Sequence, residues 1–470
     1  MNELLELTLV ELTEMLRARK ASPVELMQAV LARIDATHAD LNAVVALRDR
    51  EVLLGDARAA EKRLMRGVAG PLEGVPFGVK DLEDAEGLTT SQGSLPFRDH
   101  VARRDSTQVE RLRAAGAIVV GKTNAPEFGY TAITKNLVYG VTRSPWNLER
   151  TPGGSSGGSA AALSGGVLPL VTASDGGGSI RIPASFTGAF GLKTSYGRIP
   201  RGPFEHWDYQ DTSVVGPLTK TVEDAALFLD QVIGSSPYDP NSLPHPRISY
   251  VQAVREPLPN KLRIGYSPDL GYAVVQSDVA VAVEDGAKVF EQLGHRLERI
   301  EDGPPQLGRE WALLGLFELA AHLHPLLPAQ EDRFGRGFIE GVKMGWQMTP
   351  ELWGKSAQER IRLNDWCARL FERVDLLVTP TVPYDPPPAK GPFPEETEGR
   401  QQIVAGVASF TIPFNLSWHP AATVRVGLSR AGLPMGMQIV GPRHREDLVL
   451  QVARAFERER PWHPHWPTTW

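Results

Sequence analysis

Three stretches of this sequence decide its fold and its chemistry. Residues 153–162 read GGSSGGSAAA, residues 174–185 read SDGGGSIRIPAS, and residues 74–81 read GVPFGVKD. The first two are glycine-rich turns that carry serines at Ser155 and Ser179. The third is a short apolar run that begins at glycine, which is typical of a buried strand, and it ends in lysine and aspartate. A serine needs a base to become a nucleophile, so together these stretches predict a hydrolase active site.

Composition and charge exclude several classes of protein. The 470 residues are 42% hydrophobic and 23% charged, as in ordinary globular proteins. The formal net charge is −6, so the chain lacks the excess of basic residues that is typical of nucleic-acid-binding proteins. The one cysteine, Cys367, cannot form an internal disulfide, which fits a reducing compartment. The N-terminus mixes acids and bases with leucines, and no run reaches the roughly 18 apolar residues of a membrane span. We therefore expect a cytoplasmic protein with no nucleic acid or membrane partner.

The patterns divide the chain into two parts. Residues 1–66 are predicted to be a helical segment packed on the core, because leucines recur at helical spacing among charged residues. From 67 to 470, apolar runs bounded by glycine alternate with helical patterns, which predicts an α/β domain. We divide that domain into a central block, 67–235, and a remainder, 236–470. Within the remainder, residues 300–360 are aromatic and irregular, and we expect them to form a variable substrate pocket.

Lys80 is a candidate general base. Histidine usually activates a serine, but none of the eleven histidines lies between residues 150 and 200. A lysine serves if it is neutral, and burial at the end of an apolar strand disfavours the ammonium form. The alternative is a structural role, in which the neighbouring Asp81 holds Lys80 as an ion pair.

The GGSSGG segment matches several patterns. Gly153-Gly154-Ser155-Ser156-Gly157 fits the G-x-S-x-G nucleophile elbow, but that elbow follows a strand, and residues 144–152 contain two prolines and few apolar residues. A P-loop is excluded because no Gly-Lys-Ser/Thr follows. A flexible glycine-serine loop remains the alternative.

The glycines at 176–178 follow an apolar strand and precede Ser179. Successive glycines let backbone N–H groups converge on one point, which makes an oxyanion hole for a tetrahedral intermediate. A serine directly after such a nest is placed to attack a carbonyl held there. The alternative is a tight turn with a capping serine.

Jointly, these motifs resemble the amidase signature family of amide-bond hydrolases. In order and spacing the resemblance rests on KD (80–81), GKTN (121–124), EFG (127–129), PGGSSGGSAAA (152–162), GGSIRIPA (177–184) and GLKTSYGR (191–198). It extends to GPLTKTVEDAA (216–226) and NLSWHPAATV (415–424), and it is weakest between about 300 and 360. The resemblance implies a mixed, twisted β-sheet core covered by α-helices on both faces, with no cofactor and no metal.

The resemblance also implies a role for each matching residue. Ser179 corresponds to the nucleophile, Ser155 to a bridging serine on a cis peptide bond, and Lys80 to the general base. The oxyanion hole corresponds to the backbone of Gly176, Gly177, Gly178 and Ser179. The residues that support the loop correspond to Ser156, Asp175 and Arg181.

The sequence departs from the family pattern in three places. Gly176 replaces a more typical threonine, Trp418 stands where glycine is common, and Arg425 stands where proline is common. We expect these changes to reshape the pocket without touching the triad. The residues that we expect to line the pocket are Phe128, Tyr130, Trp207, Tyr209 and Trp418. The aromatic candidates from the 300–360 stretch are Trp311, Phe317, His322, Phe334, Phe338 and Trp346, with ordinary core packing as the alternative.

The predicted function is hydrolysis of small, mostly uncharged amides, such as anilides and alkyl amides, with carbamates as a further class. The expected partner is that small-molecule substrate, and the protein is expected to be a monomer or homodimer. One alternative is the glutaminase-type subunit of a tRNA-dependent amidotransferase, although Ile182 stands where those subunits carry glutamine. The other is a non-enzymatic binding protein on the same fold.

Overall fold

A mixed β-sheet runs through the centre of the molecule and positions every residue of the candidate site. The computed structural model describes residues 2–203, 211–258, 261–463 and 466–467. The α-helices in this part of the chain are α1 Glu3–Glu6, α2 Leu9–Arg17, α3 Pro23–Leu41, α4 Arg50–Arg66, α5 Thr107–Ala114, α6 Gly157–Ser164, α7 Arg181–Thr187, α8 Val222–Val232, α9 Tyr250–Ala253, α10 Ser277–Gln292, α11 Gly308–Leu323, α12 Leu327–Gln330, α13 Arg336–Gly345, α14 Pro350–Arg373, α15 Ile412–Leu416 and α16 Glu446–Glu459.

The strands are numbered in the same way. They are β1 Val44–Leu47, β2 Pro76–Lys80, β3 Ile118–Thr123, β4 Lys135–Asn136, β5 Gly140–Val141, β6 Leu170–Asp175, β7 Phe190–Lys193, β8 Val214–Thr219, β9 Arg263–Tyr266, β10 Arg296–Arg299, β11 Leu376–Pro380, β12 Glu396–Thr397, β13 Arg400–Gln401, β14 Ala421–Leu428 and β15 Pro434–Val440. Short 3₁₀ helices lie at Leu95–Phe97, Glu127–Gly129, Glu331–Arg333 and Gly406–Ala408.

Among the described residues, eleven strands form the main sheet, in the order β1-β3-β2-β6-β8-β7-β14-β15-β11-β9-β10. The pairs β2–β3, β2–β6, β9–β11 and β9–β10 are parallel, and the other neighbours are antiparallel. The central strands are buried along their length, as the apolar runs of the sequence predict. With helices on both faces, the sheet confirms the predicted fold class.

The parallel pairing of β2 with β6 creates the site. Phe77 pairs with Leu170 and Gly78 with Val171, so the two strands run side by side and end at the same edge of the sheet. Lys80 closes β2, and Asp175 closes β6 just before the three glycines. Residues that are far apart in sequence therefore meet at the carboxyl ends of neighbouring strands, where ligands of α/β sheets bind.

The N-terminal segment is helical and packed on the core, with one exception. Helix α3 begins as predicted, with Ser22 as its N-cap, Pro23 at its first position and a capping box that Glu25 completes. The exception is Val44–Leu47, which forms edge strand β1 and pairs antiparallel with β3. Residues 1–66 thus include one strand, because β-branched residues after the left-handed cap of α3 at Asn42 favour a strand.

The region from 300 to 360 is regular, which corrects the expectation of an irregular stretch. Helices α11, α12 and α13 and the first part of α14 occupy it. Their apolar residues build a second, small hydrophobic core that includes Leu319, Phe334 and Phe338 and closes around Phe128 from the central block. In the described part of the chain, no single helix is long and apolar enough to cross a membrane. Gly308–Leu323 and Leu327–Arg333 meet that test only as a pair bent by 86°.

Candidate active site

Lys80 lies at the centre of a cluster of serine hydroxyls. Its side chain is 1% exposed. Its Nζ lies 2.8 Å from Ser155 Oγ, 2.9 Å from Ser156 Oγ and 2.9 Å from Ser174 Oγ. An ammonium group donates to all three oxygens, whereas a neutral amine has two N–H groups and one lone pair. The neutral form therefore accepts a proton from one of these hydroxyls, which is the arrangement that a base requires.

The turn that carries Ser155 is packed tightly between neighbouring backbones. The Gly154–Ser155 peptide bond is cis, as the family resemblance implies, and α6 begins two residues later at Gly157. A Cβ at Gly158 would collide with the backbone of Asn124, so only glycine permits this approach. The turn follows bends and a bridge rather than a strand, so the nucleophile-elbow interpretation does not hold for this described stretch.

The carboxylate of Asp81 has partners of its own. It accepts hydrogen bonds from the backbone N–H and the hydroxyl of Ser91, and a longer one of 3.4 Å from Gly93 N. Burial raises the pKa of this carboxyl, and the charge of Lys122 works in the opposite direction. Lys122 is thus one cation whose charge acts on Asp81.

Ser174 belongs to the cluster, and the sequence analysis missed it. Besides Lys80, it contacts Ser156, whose hydroxyl accepts from Ser174 N at 3.3 Å and donates to Ser174 O at 3.2 Å. Its position in the sequence carried a signal. Thr172 and Ser174 are polar residues at a spacing of two in strand β6, so they point to the same face of the sheet, and Thr172 Oγ1 accepts from Lys80 N at 3.0 Å.

The glycine nest between β6 and α7 is held by Asp175. Its carboxylate accepts from Gly178 N at 2.8 Å, from Ile180 N at 3.1 Å and from Arg181 N at 3.3 Å. Because the Gly178 amide is already engaged, it is the least available of the four predicted oxyanion donors. Gly176, Gly177 and Ser179 line the cavity described below.

Arg181 completes a buried polar network behind the nest. Its guanidinium contacts Asp175 at 2.8 and 3.0 Å, Gln438 Oε1 at 2.7 Å and Asn415 Oδ1 at 2.5 Å, and both charged side chains are 0% exposed. Burial alone would raise the pKa of Asp175. The charge and hydrogen bonds of Arg181, together with Lys193 and Asn415, outweigh burial and hold that pKa well below its usual range. Asp175 thus stays ionised and fixes the loop that carries Ser179.

Trp311 joins the helical region to the nest. Its indole Nε1 donates to Gly176 O at 2.9 Å, and a Cβ at Gly177 would collide with its ring. Thr411 Oγ1 donates to Gly177 O at 2.6 Å from the other side. The carbonyls of the nest are therefore bound, which fixes the orientation of the peptide groups between them.

A cavity of about 280 Å³ opens onto this cluster. Ser155, Ser174 and Ser179 lie in its wall, while Lys80 is buried behind Ser155. Phe128 and Tyr130 line the cavity as predicted, and so does Trp311. Phe334 and Phe338 instead form the small core behind Phe128, and Phe317 and Trp346 are exposed. His322 is partly buried and does not appear in the described wall of the cavity.

Two of the predicted pocket residues, Trp207 and Tyr209, lie outside the described residues. The prediction for Trp418 was wrong, since it does not line the described cavity. Its indole stacks on Tyr196 at 4.7 Å, lies 5.5 Å from the guanidinium of Arg360 and donates to Asp211 O at 2.6 Å. These contacts draw the ring to the surface, where it is 38% exposed.

Arg425 is buried away from the serine cluster. Its guanidinium lies 5.4 Å from the ring of Trp146 and 5.9 Å from that of Trp466, and it donates to the carbonyl of Trp462. Burial lowers its pKa to about 10. The substitution of proline by arginine at this position is thus accommodated by aromatic rings rather than by the pocket.

Comparison with known proteins agrees with this geometry. Residues 25–450 match the family model named Amidase. The chain is 36% identical to an acylamidase of Rhodococcus erythropolis, over 97% of this chain and 96% of that protein. It is 33% identical to the A subunit of the glutamyl-tRNA(Gln) amidotransferase of Geotalea daltonii, over 98% and 99%. Its fold matches the crystal structure of a bacterial aryl acylamidase of the amidase signature enzymes with a TM-score of 0.92 and 28% identity, over 98% and 97% of the two chains. The chain belongs to the amidase signature family, whose members hydrolyse carbon–nitrogen bonds.

Proposed function

We propose that this protein hydrolyses small, mostly uncharged amides, including anilides, alkyl amides and carbamates, through an acyl-enzyme on Ser179. The observation that carries the proposal is the contact of buried Lys80 with Ser155, in the wall of the cavity that also contains Ser179. This is the order of groups that a lysine–serine–serine relay requires. The proposal needs no metal and no cofactor.

In the first half of the reaction, neutral Lys80 accepts the proton of Ser155, and Ser155 accepts the proton of Ser179. The Ser179 oxygen then forms a bond to the carbonyl carbon, and the oxyanion receives hydrogen bonds from amides of the nest. Gly176, Gly177 and Ser179 are the candidates, since the Gly178 amide binds Asp175. Donors that are fixed before the reaction stabilise the developing charge without reorganisation.

In the second half, the proton returns through Ser155 to the leaving nitrogen as the carbon–nitrogen bond breaks. This step matters because an amide anion is a very poor leaving group. Water then attacks the acyl-enzyme, with the same relay as base, and releases the acid. A carbamate presents the same carbonyl with one more oxygen, so the relay serves both classes.

The lining of the cavity supports an uncharged, partly aromatic substrate. Phe128, Tyr130 and Trp311 offer ring surfaces close to the serines. The similarity to an acylamidase and to an aryl acylamidase supports the same substrate class. The test is a panel of anilides, alkyl amides, carbamates and esters, compared by kcat/KM. Free glutamine as the best substrate, with anilides and carbamates untouched, contradicts the proposal.

The similarity to the amidotransferase of Geotalea daltonii supports a second candidate, the glutaminase-type subunit. At the position where the sequence pattern of those subunits places glutamine, Ile182 lines the cavity and presents hydrocarbon to the substrate. A side chain without polar atoms gives the amide of glutamine no hydrogen bond there, which favours the first candidate. Glutaminase activity that depends on a companion protein would reverse this order.

A non-enzymatic binding protein is the third interpretation of the same fold. A serine-reactive phosphonate separates it from the other two, because only an activated serine attacks phosphorus. We expect labelling at Ser179. Labelling at Ser155 or Ser156 contradicts the assignment of the nucleophile, and no labelling at all favours the binding protein.

A further inference from the structure

Two side chains hold successive carbonyls of the glycine nest. Trp311, near the start of α11, donates from its indole Nε1 to Gly176 O at 2.9 Å. Thr411, directly before α15, donates from Oγ1 to Gly177 O at 2.6 Å. The two donors reach the nest from different elements, so each fixes a different peptide group of the turn that leads to Ser179.

The peptide group between residues 177 and 178 is fixed at both of its ends. In a planar trans peptide group the carbonyl and the N–H point in opposite directions, and the bonds 176–177 and 177–178 are both trans. Gly177 O binds Thr411, and Gly178 N donates to Asp175 Oδ1 at 2.8 Å. Both polar atoms of this group therefore have protein partners, and the Gly178 amide serves the structure of the loop.

The peptide group between residues 176 and 177 is held differently. Its oxygen binds Trp311, whereas Gly177 N donates to no protein atom among the described residues. Gly177 has no side chain and its own carbonyl binds Thr411, so it presents its amide nitrogen and its Cα to the cavity that contains Ser179. Because the N–H points away from the carbonyl that Trp311 binds, the indole sets the direction of this amide.

The ring of Trp311 also packs directly against Gly177. A Cβ at Gly177 would lie 2.4 Å from Cζ2 of the ring, well inside contact distance. The ring and its N–H thus hold one peptide group together. The other end of α11, through Leu319 and Leu323, belongs to the small core around Phe128. One helix therefore connects the substrate side of the cavity with the nest.

We propose that Trp311 is a positioning residue for catalysis: its indole N–H holds the Gly176 carbonyl so that the Gly177 amide donates to the oxyanion formed at Ser179. This inference rests on the proposed amidase function and selects one donor among the candidates in the nest. Trp311 acts through the peptide group and not on the reacting atoms. Since a donor that is aimed before the reaction favours the transition state, loss of this hold costs rate rather than affinity for the substrate.

The first test removes the indole N–H and keeps an aromatic ring. The substrate is a small alkyl amide, which has no ring to stack on residue 311. In Trp311→Phe we expect kcat to fall on the order of tenfold with little change in KM, less than the roughly 10²–10³-fold loss that follows removal of an oxyanion donor itself.

Thr411→Val is the matched comparison for this test. It also frees one carbonyl of the nest, but the amide of that peptide group binds Asp175 and not the substrate. We therefore expect a clearly smaller loss of kcat than in Trp311→Phe. Equal losses in the two variants, or an unchanged kcat in Trp311→Phe, overturn the inference.

A trifluoromethyl ketone that carries the acyl part of the same amide reports on the oxyanion directly. The Ser179 oxygen bonds to the ketone carbon, the carbonyl electron pair moves to the oxygen, and the Ser179 proton passes through Ser155 to Lys80. We expect the Ki of the ketone to rise in Trp311→Phe by the same factor by which kcat/KM falls. The Kd of the uncleaved amide for Ser179→Ala protein should be the same with and without Trp311→Phe. A rise in this Kd that equals the rise in Ki overturns the inference.

Gly177→Ala tests the same contact with Trp311 unchanged. The added methyl group displaces the indole from the Gly176 carbonyl, because it occupies the position of the ring. The Ki of the ketone should then rise more than the Kd of the amide, which is again measured in the Ser179→Ala background. Equal changes in both constants overturn the inference even if Trp311→Phe does not fold.

Failure of the proposed function gives a different set of results. If native protein hydrolyses no amide or carbamate while Trp311→Phe weakens only ketone binding, the proposed function fails and the positioning role stands. Hydrolysis of amides with kcat and Ki unchanged in Trp311→Phe leaves the function intact and rejects the role. Native protein that neither hydrolyses an amide nor binds the ketone rejects both.

Discussion

The glycine nest and the helices over it are built by different forces. The nest depends on polar contacts in the buried interior, where Asp175 and Arg181 are each 0% exposed and each makes several hydrogen bonds. Helices α11–α13 rest on their own apolar core and meet the central block through few polar contacts, such as Trp311 with Gly176 and Gly335 with Glu127. The catalytic side is thus held by a network of directional hydrogen bonds, whereas the substrate side is shaped by apolar packing that accepts many residues.

The largest loss of activity is expected when the nucleophile in the catalytic half of this comparison is removed. We expect Ser179→Ala to lower kcat by about 10⁴-fold or more while the fold persists, because the remaining relay has no group that attacks the carbonyl. Release of amine from the best anilide is the measurement. Ser185→Ala is the matched control, since Ser185 is buried in the next helix and its hydroxyl has no partner among the described residues. Comparable losses in both variants would mean that the serines act through packing.

Substitution of Lys80 should have the next largest effect. Lys80→Ala is expected to cost about 10²–10⁴-fold in rate, the range of a general base. Lys80→Arg keeps a positive charge but cannot be deprotonated, so it should be folded and inactive. Near-normal activity in Lys80→Ala would make Lys80 a structural residue.

The sequence predicted the central block well because its chemistry depends on short spacings. The strand ending at Lys80, the turn at Ser155 and the nest before Ser179 all stand where their glycines and apolar runs place them. The sequence did not predict Ser174 as a site residue, because Ser174 reaches Lys80 only through the pairing of β2 with β6. The position of the Trp418 ring could not be predicted from the sequence. The ring packs against Tyr196 and Arg360, and these contacts form only in the tertiary fold.

The buried ion pair offers a sharper test of how the nest is held. Arg181→Leu should lower the free energy of unfolding by about 3–5 kcal/mol, because it leaves the Asp175 charge buried without its cation. The control is Arg263→Leu, which breaks a pair with Asp375 whose side chains are 43% and 32% exposed, and which should have a much smaller effect because solvent screens the pair. Urea titration measures the free energy of unfolding of both variants. Equal losses would mean that burial does not make the Asp175–Arg181 pair more important than an exposed pair.

The smallest effect concerns the contact between the helices and the central block. Glu127 Oε1 accepts from Ser94 Oγ at 2.6 Å and Oε2 accepts from Gly335 N at 2.9 Å. Burial raises the pKa of this carboxyl from 4.5 to about 6, against the effect of these hydrogen bonds. The folded protein thus holds the proton more tightly than the unfolded chain. The resulting stabilisation, about 2 kcal/mol, is present below pH 4.5 and is lost as the pH rises through 6.

Glu127→Gln removes this titration, so the two proteins should diverge with pH. Relative to Glu127→Gln, native protein should lose about 2 kcal/mol of unfolding free energy between pH 4 and pH 7, measured by urea titration at each pH. Exchange of the exposed Glu395 for glutamine provides the baseline for charge removal without burial. A pH-independent difference between native protein and Glu127→Gln would mean that the carboxyl keeps its ordinary pKa. The contact between α13 and the central block would then be as well solvated as the protein surface. The helices and the buried glycine nest would differ in solvation as well as in the number of their polar contacts.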